Sequence, residues 1–210
     1  MSQAVKEVIR TGRKFDQVLQ GAREVFMADG FSGASVDDIA KAAGVSKATL
    51  YSYFPDKRLL FIEVANSECQ RQAEEVVELT DFDGAPREIL TVAARQMIRI
   101  LTSSFSQRVF RICVAEADRF PELGRAFYKS GPMNGRAKMI EYFECAVAEG
   151  EMQIDDMTLA ADQFLELCKA DLFTQMVFGI QSTFSDAEMD RIASGAVDTF
   201  LARYGVDQPS

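Results

Sequence analysis

Small, hydroxylated and basic side chains are concentrated in one short stretch, residues 46 to 53, where the sequence reads SKATLYSY. Leu50 and Phe54 are four residues apart and share one face of a predicted helix, which we expect to be buried. Hydroxyl and ammonium groups donate to phosphate oxygens, and small side chains let a backbone approach a base pair closely. The stretch therefore predicts a DNA-facing helix, whose outward or marginal positions are Lys47, Ala48, Thr49, Tyr51, Ser52 and Tyr53.

Two predicted helices and a tight turn position that stretch, in the segment SVDDIAKAAGVSKATLYSYFPDK from residue 35 to 57. Ser35 is a candidate N-cap, and Asp38 can complete a capping-box-like arrangement. Gly44 lies where the first helix should stop, because glycine enters the left-handed conformation without steric cost. Ser46 can cap the second helix, and Pro55 ends it. This pattern alone is weak evidence, since an ordinary helical hairpin with a polar face has it too.

The match to a known family is closer than that bare pattern. The segment resembles the DNA-binding domain of the TetR family of bacterial transcriptional regulators, and the resemblance rests on Phe26, Gly30, Phe31, Val36, the run from Ile39 to Lys47, Thr49-Leu50-Tyr51, Tyr53-Phe54 and Lys57. The number of matches in register favours the family over an ordinary hairpin.

The resemblance also implies which side chains contact a DNA operator. Lys47, Ala48 and Ser52 should lie nearest the base edges. Ser46 belongs to the same DNA-binding set, and the side chains that should hold phosphates are Ser35, Thr49, Tyr51, Tyr53 and Lys57.

The charge is unevenly divided along the chain. Residues 1–60 carry nine basic and seven acidic side chains, so that a net charge of −9 for the whole chain leaves −11 for the remainder. A neutral-to-basic head on an acidic body fits phosphate contact, which needs only a local basic face. Acidic bodies also serve solubility, so the division supports the DNA interpretation without establishing it.

Several classes of site are disfavoured by composition. The chain has no histidine, which removes the usual imidazole base and any zinc site that contains histidine. The four cysteines are far apart, which argues against a disulfide framework: Cys69, Cys113, Cys145 and Cys168. We expect no metal and no cofactor other than a small-molecule effector. We see no signal peptide and no membrane span, so we expect a cytoplasmic protein without a membrane partner.

The rest of the chain predicts an all-α fold. The expected helices span about 13–29, 56–80, 86–103, 108–119, 121–129, 132–149, 157–181 and 186–204. We predict an N-terminal three-helix helix-turn-helix DNA-binding domain in residues 1–55 and a C-terminal helical ligand-binding and dimerisation bundle in residues 56–210. Residues 1–12 form a flexible arm, which either lies along DNA or is merely a disordered tail.

A second resemblance covers part of the C-terminal half. The run from Arg108 to Arg111 and the run from Glu116 to Leu123 look like the ligand domain of an AefR-like subgroup of TetR regulators, as does the ending from Phe200 to Gly205. The resemblance implies a cavity among these helices. Phenylalanine, methionine and cysteine side chains are its candidate lining, although each is individually more typical of plain core. The predicted ligand-binding residues are Met97, Phe110, Cys113, Phe143, Phe173 and Met176.

The resemblance further implies that the last two helices pair with a second subunit. Apolar residues recur every three or four positions in both, and packing within one chain explains the same pattern. The predicted interface residues of this homodimer are Phe164, Cys168, Ile192, Ala193, Ala196, Val197 and Phe200.

The sequence as a whole is best interpreted as a DNA-binding transcriptional regulator, a repressor released from a palindromic operator by a small apolar or aromatic ligand. An activator or a ligand-independent DNA-binding protein has the same head and stays open. An all-α enzyme is the remaining alternative, and the absence of histidine and of any phosphate or cofactor loop counts against it.

Overall fold

A computed structural model describes residues 12–79 and 84–206. Its helices are α1 Arg13–Gly33, α2 Val36–Ala42, α3 Lys47–Tyr53, α4 Lys57–Leu79, α5 Pro86–Thr102, α6 Ser104–Ala115, α7 Pro121–Ser130, α8 Pro132–Ala148, α9 Met157–Leu167, α10 Leu172–Phe178 and α11 Asp186–Tyr204. Within the described ranges the only β-type pairing is one antiparallel bridge between Met152 and Gly205. The predicted all-α fold is confirmed, whereas the predicted arm falls almost wholly outside the described residues.

Most helix ends follow local signals. The first helix breaks at Gly30, which has φ 72° and ψ −176°, and a short helical turn follows it to residue 33. α11 begins at a complete capping box, in which Ser185 accepts from the Glu188 amide at 3.3 Å and the Glu188 carboxylate accepts from the Ser185 amide at 2.8 Å. Prolines open α5, α7 and α8, because the first helical position needs no amide proton.

Two helix predictions were wrong. The helix predicted over 157–181 is two helices, α9 and α10, separated by a turn in which Asp171 adopts φ 65°. Aspartate tolerates this left-handed conformation better than most residues, and no glycine or proline marks the break. The helix predicted over 108–119 begins at Ser104 instead, because Ser103 caps it by accepting from the Ser106 amide at 3.2 Å. It also ends earlier, at Ala115.

The described chain forms two compact units, and their limits differ from the predicted domain limits. The first unit comprises Met1–Glu68 and Arg108–Phe127, and the second comprises Cys69–Gln107 and Tyr128–Ser210. The first unit therefore contains α1 to α3 together with most of α6 and α7. The functional division at residue 55 stays a prediction.

The core of the first unit is aromatic. Phe26 and Phe31 stack with ring centroids 6.0 Å apart, and Phe61 from α4 meets Phe26 edge-on at 5.2 Å. α1 and α2 approach each other closely at Gly21, where an added Cβ would lie 2.5 Å from the Ala43 amide nitrogen. A side chain at Gly21 would therefore push the two helices apart.

The core of the second unit brings together α5, α8, α9, α10 and α11 around Phe200. The Phe200 ring stacks on Phe143 with centroids 5.1 Å apart and meets Phe164 edge-on at 5.2 Å. No helix within the described ranges is long and apolar enough to cross a membrane.

The residues predicted to form a dimer interface belong to this core instead. Each is at most 7% exposed within a single chain, so little of any of these side chains is available to a second subunit: Phe164, Cys168, Ile192, Ala193, Ala196, Val197 and Phe200. Helical periodicity correctly predicted that they are buried, but it does not distinguish burial within a chain from burial between chains.

Candidate nucleic-acid interface

The two helices of the helix-turn-helix are fixed by serine caps. The Ser35 hydroxyl accepts from the Asp38 amide at 3.1 Å and donates to the Asp38 carboxylate. The Ser46 hydroxyl accepts from the Thr49 amide at 3.1 Å and shares a second hydrogen bond with the Thr49 hydroxyl at 2.9 Å. Gly44 has φ 64° in the turn between the helices. The caps set where α3 begins and hence which side chains face outward.

α3 has one buried face and one outward face, as predicted. Leu50 is buried, and Phe54, the residue after the helix, stacks on Phe15 of α1 with centroids 5.5 Å apart. Tyr53 is half-buried, with its ring edge-on to Phe15 at 5.8 Å. Thr49 is also half-buried, and the exposed side chains of the segment are those of Ser46, Lys47, Ala48, Tyr51 and Ser52.

A carboxylate already neutralises the outward lysine. Lys47 forms an ion pair with Asp37, a residue of the first turn of α2 that sequence reasoning did not assign to the site. Both side chains are more than half exposed, and exposed pairs contribute little to stability. A phosphate or base acceptor can therefore displace the Asp37 carboxylate from Lys47.

Lys57 is bonded inward rather than held free for a phosphate. Its ammonium donates to the carbonyl oxygens of Phe31 at 2.7 Å and Ala34 at 2.8 Å, and it lies 4.6 Å from the centre of the Phe31 ring. Burial lowers the pKa of Lys57 from its ordinary value, and the charge of Glu116 opposes that shift. Two of its three protons are used in the protein, so the predicted phosphate contact has at most one proton to donate.

We expect Lys57→Met to lower the stability of the protein and to leave the salt dependence of DNA binding unchanged. The carbonyls of Phe31 and Ala34 lose their charged donor, which costs about 1 kcal/mol per hydrogen bond. Thermal melting and DNA titrations at several salt concentrations measure the two effects, with Lys41→Met as the control at an exposed lysine of α2. A salt slope smaller by about one unit, at unchanged melting temperature, would instead make Lys57 a phosphate contact.

The predicted ligand-binding residues are divided between the two units. In the first unit Phe110 lies edge-on to Phe127, with centroids 6.3 Å apart, and Cys113 is buried with its sulfur 3.7 Å from the Leu123 carbonyl oxygen. The second unit contains the other four, of which Phe143 and Met176 are fully buried, whereas Met97 and Phe173 pack at the margin of the core.

A groove of about 480 Å³ lies on the second unit between α9 and α11. Phe200, Leu167 and Ala170 form its apolar part, and the Tyr204 hydroxyl donates to the Gln163 side chain at 2.6 Å beside it. None of the predicted ligand-binding residues borders this groove.

Cys168 is not placed for thiol chemistry. It is fully buried, and burial raises the pKa of its thiol to about 12, so the reactive thiolate is scarce at neutral pH. Within the described residues no group of three histidine, cysteine, aspartate or glutamate side chains could hold a metal ion.

Two family models match the chain. One, described as bacterial regulatory proteins of the tetR family, matches residues 18–64 and contains α2 and α3 with both serine caps. The other, described as the C-terminal domain of AefR-like transcriptional repressors, matches residues 88–206, more than half of the chain. The chain belongs to the TetR family. It is a helix-turn-helix transcriptional regulator of the AefR-like type, as both resemblances predicted.

Solved structures of TetR regulators resemble the whole chain. A regulator assigned to the TetR family from Mesorhizobium loti MAFF303099 is 32% identical, with a TM-score of 0.86, over 92% of this chain and 98% of its own. The flavonoid-responsive regulator FrrA is 33% identical, with a TM-score of 0.76, over 94% of this chain and 100% of its own.

Curated relatives resemble mainly the head. The transcriptional repressor AcnR of Corynebacterium efficiens is 37% identical over 62 residues, which are 30% of this chain and 33% of that repressor. The chain therefore matches about a third of the length of this relative, and the likeness concerns DNA binding more than the rest of the protein.

Proposed function

We propose that this TetR regulator is a repressor that binds a near-palindromic double-stranded DNA operator through the outward face of α3. The observation that carries the proposal is the combination of a buried Leu50 with exposed Lys47, Ala48 and Ser52 on a helix whose N-terminus is capped by Ser46. Such a helix can enter the major groove, where Lys47 donates to base acceptors and the small side chains permit close approach.

The phosphate contacts belong to side chains that flank the base-reading positions. Tyr51 is exposed on α3, and Thr49 and Tyr53 are half-buried with their hydroxyl-bearing side chains at its margin. The hydroxyls of Ser35 and Ser46 accept from helix amides, so each contributes to DNA binding mainly by fixing a helix terminus. Lys57 supports the head from inside.

A second copy of the chain is the proposed partner, because a palindrome needs two heads. The interface residues that the sequence predicts on α9 and α11 are buried, but three neighbouring apolar side chains at the end of α10 are not. Phe178 and Ile180 are 75% and 73% exposed, and Val177 is also exposed. Exposed apolar side chains of this size, close together in the chain, are typical of a subunit contact.

The proposed effector is a small apolar or aromatic molecule. Support comes from FrrA, which is named for its response to flavonoids and is 33% identical over 94% of this chain. An effector that binds better to a head spacing that does not match the operator shifts the population off the DNA.

A fluorescence titration with labelled operator DNA tests repression and release together. Binding of the purified protein at nanomolar concentration, followed by release on addition of the flavanone naringenin, is the expected result. Unchanged binding at saturating naringenin, with no shift of the melting temperature, would exclude this flavonoid class while leaving the DNA interface intact.

A further inference from the structure

The turn that joins α6 to α7, taken with the first two residues of α7, spans residues 116 to 122 with the sequence EADRFPE and belongs to the same compact unit as the head. By sequence it lies inside the AefR-like C-terminal domain, which spans residues 88–206. By packing it belongs to the first unit, together with α1 to α3. We refer to these seven residues as the α6–α7 turn.

One aromatic side chain of this turn extends the core of the head. The ring of Phe120 lies edge-on to Phe31 with centroids 5.4 Å apart, and Phe31 in turn meets Phe61 of α4 at 5.6 Å. The guanidinium of Arg58 lies 5.6 Å from the centre of the Phe120 ring, and that of Arg119 lies 4.9 Å from it. Phe120 is therefore held by both the end of α1 and the start of α4.

Two carboxylates of the turn contact the same two segments, the end of α1 and the start of α4. The Ser32 hydroxyl, at the end of α1, donates to the Glu116 carboxylate. Arg58, at the start of α4, donates to Glu122 at 2.8 Å through Nη1 and to Asp56 at 2.8 Å through Nε. Asp56 precedes α4 and accepts from the Arg58 amide at 2.8 Å, so Asp56 and the turn share the Arg58 guanidinium, whose hydrogen bond lowers the pKa of Asp56.

These contacts enclose the helix-turn-helix from both of its ends. α2 and α3 lie between the end of α1 and the start of α4, and the α6–α7 turn contacts both boundaries. The head cannot tilt against α6 and α7 without breaking an aromatic contact and two hydrogen bonds to carboxylates. Exposed ion pairs are individually weak, and Arg58 and Glu122 are both partly exposed, so this pair adds little to the stability of the fold.

We propose that the α6–α7 turn is a latch that fixes the orientation of the DNA-binding head, and that Glu116, Phe120 and Glu122 are its positioning residues. The proposal rests on the proposed function, since orientation matters only for a protein that places two heads on one operator. None of the three lies in the helix-turn-helix. The latch makes the second half-site contact cheap in conformational entropy, because it ties the head to α6 and α7, and both helices continue into the second unit, which carries the proposed subunit contact.

The test compares the double variant Phe120→Ala/Glu122→Ala with Asp118→Ala, a control at an exposed residue of the same turn. Full-length protein is titrated with a palindromic operator and with a duplex that carries one half-site. Affinity for the palindrome is expected to fall about tenfold in the double variant, whereas affinity for the half-site stays unchanged. Amide hydrogen exchange at residues 28–36 and 56–62 is expected to become at least about tenfold faster.

Three results would decide against the latch. Wild-type exchange and wild-type palindrome affinity in the double variant would show that the turn fixes nothing. An equal loss on palindrome and half-site would make the turn a support of the DNA contact itself. Wild-type amide exchange in the single variant Glu122→Ala would also decide against the latch. Because the Glu122 side chain is partly exposed, this result counts even if the double variant melts early. Wild-type protein that binds neither duplex would refute the proposed function, while the exchange measurement still tests the latch.

Discussion

Ala48→Glu is expected to abolish specific operator binding, with a loss of affinity of at least about 100-fold, while the protein stays folded. Ala48 is exposed, so the new side chain displaces nothing in the head. It occupies the second position of α3, two residues after the Ser46 cap, where a carboxylate interacts favourably with the helix dipole. In the complex the same carboxylate faces phosphates and base edges, and it is both too large and of the wrong charge.

A matched control shows whether the loss of operator binding comes from the position of the new carboxylate or from its charge alone. Ala187 is also exposed and is also the second residue of a helix, two after the Ser185 cap of α11. Ala187→Glu should leave both the melting temperature and operator binding at wild-type values. Equal loss of binding in both variants would show a general charge effect, and retained binding in Ala48→Glu would remove α3 from the interface.

The second large effect is expected from Phe178→Asp/Ile180→Asp, which should convert a dimer into a monomer and weaken operator binding at least about 100-fold. Both side chains are mostly exposed in the single chain, so their replacement costs little within the subunit. In a dimer each would place an unpaired carboxylate in an apolar contact. Sedimentation velocity measures the assembly, and the same sample is titrated with operator.

The control for this pair is Val114→Asp on α6, which makes the same kind of change at another exposed apolar residue. Its sedimentation should match that of the wild type. Ala196→Arg tests the interface that the sequence predicts on α11: Ala196 is 3% exposed, so this variant should melt early rather than form a folded monomer. A folded, monomeric Ala196→Arg protein would return the interface to α11.

The head was predictable because its signals are local. Ser35 and Ser46 cap the helices that follow them, and Gly44 makes the left-handed turn between them. Each cap or turn depends on residues only a few positions apart, so the sequence is enough to predict all three. The break at Asp171 carried no such signal, because neither glycine nor proline lies there and the sequence does not show that this aspartate adopts φ 65°.

Long-range contacts explain the remaining differences. The apolar stripe of α11 predicts burial, but only the fold shows that Phe143 and Phe164 of the same chain cover Phe200. Likewise, nothing local links Glu122 to Arg58, which are separated by 64 residues. The assignment of Lys57 to phosphate followed the family pattern, whereas its bonds to the Phe31 and Ala34 carbonyls depend on how α1 meets α4.

Selection of DNA from a random duplex library by the purified full-length protein tests the central claim most directly. Two copies of α3 that enter successive major grooves require half-sites whose centres are about 10 base pairs, or 34–36 Å, apart or a multiple of that. We predict enrichment of an inverted repeat with such spacing, bound by the wild type and by Ala187→Glu but not by Ala48→Glu. Recovery of no common sequence at physiological salt, or of one that Ala48→Glu binds equally well, would contradict the assignment of α3 as the DNA-reading helix.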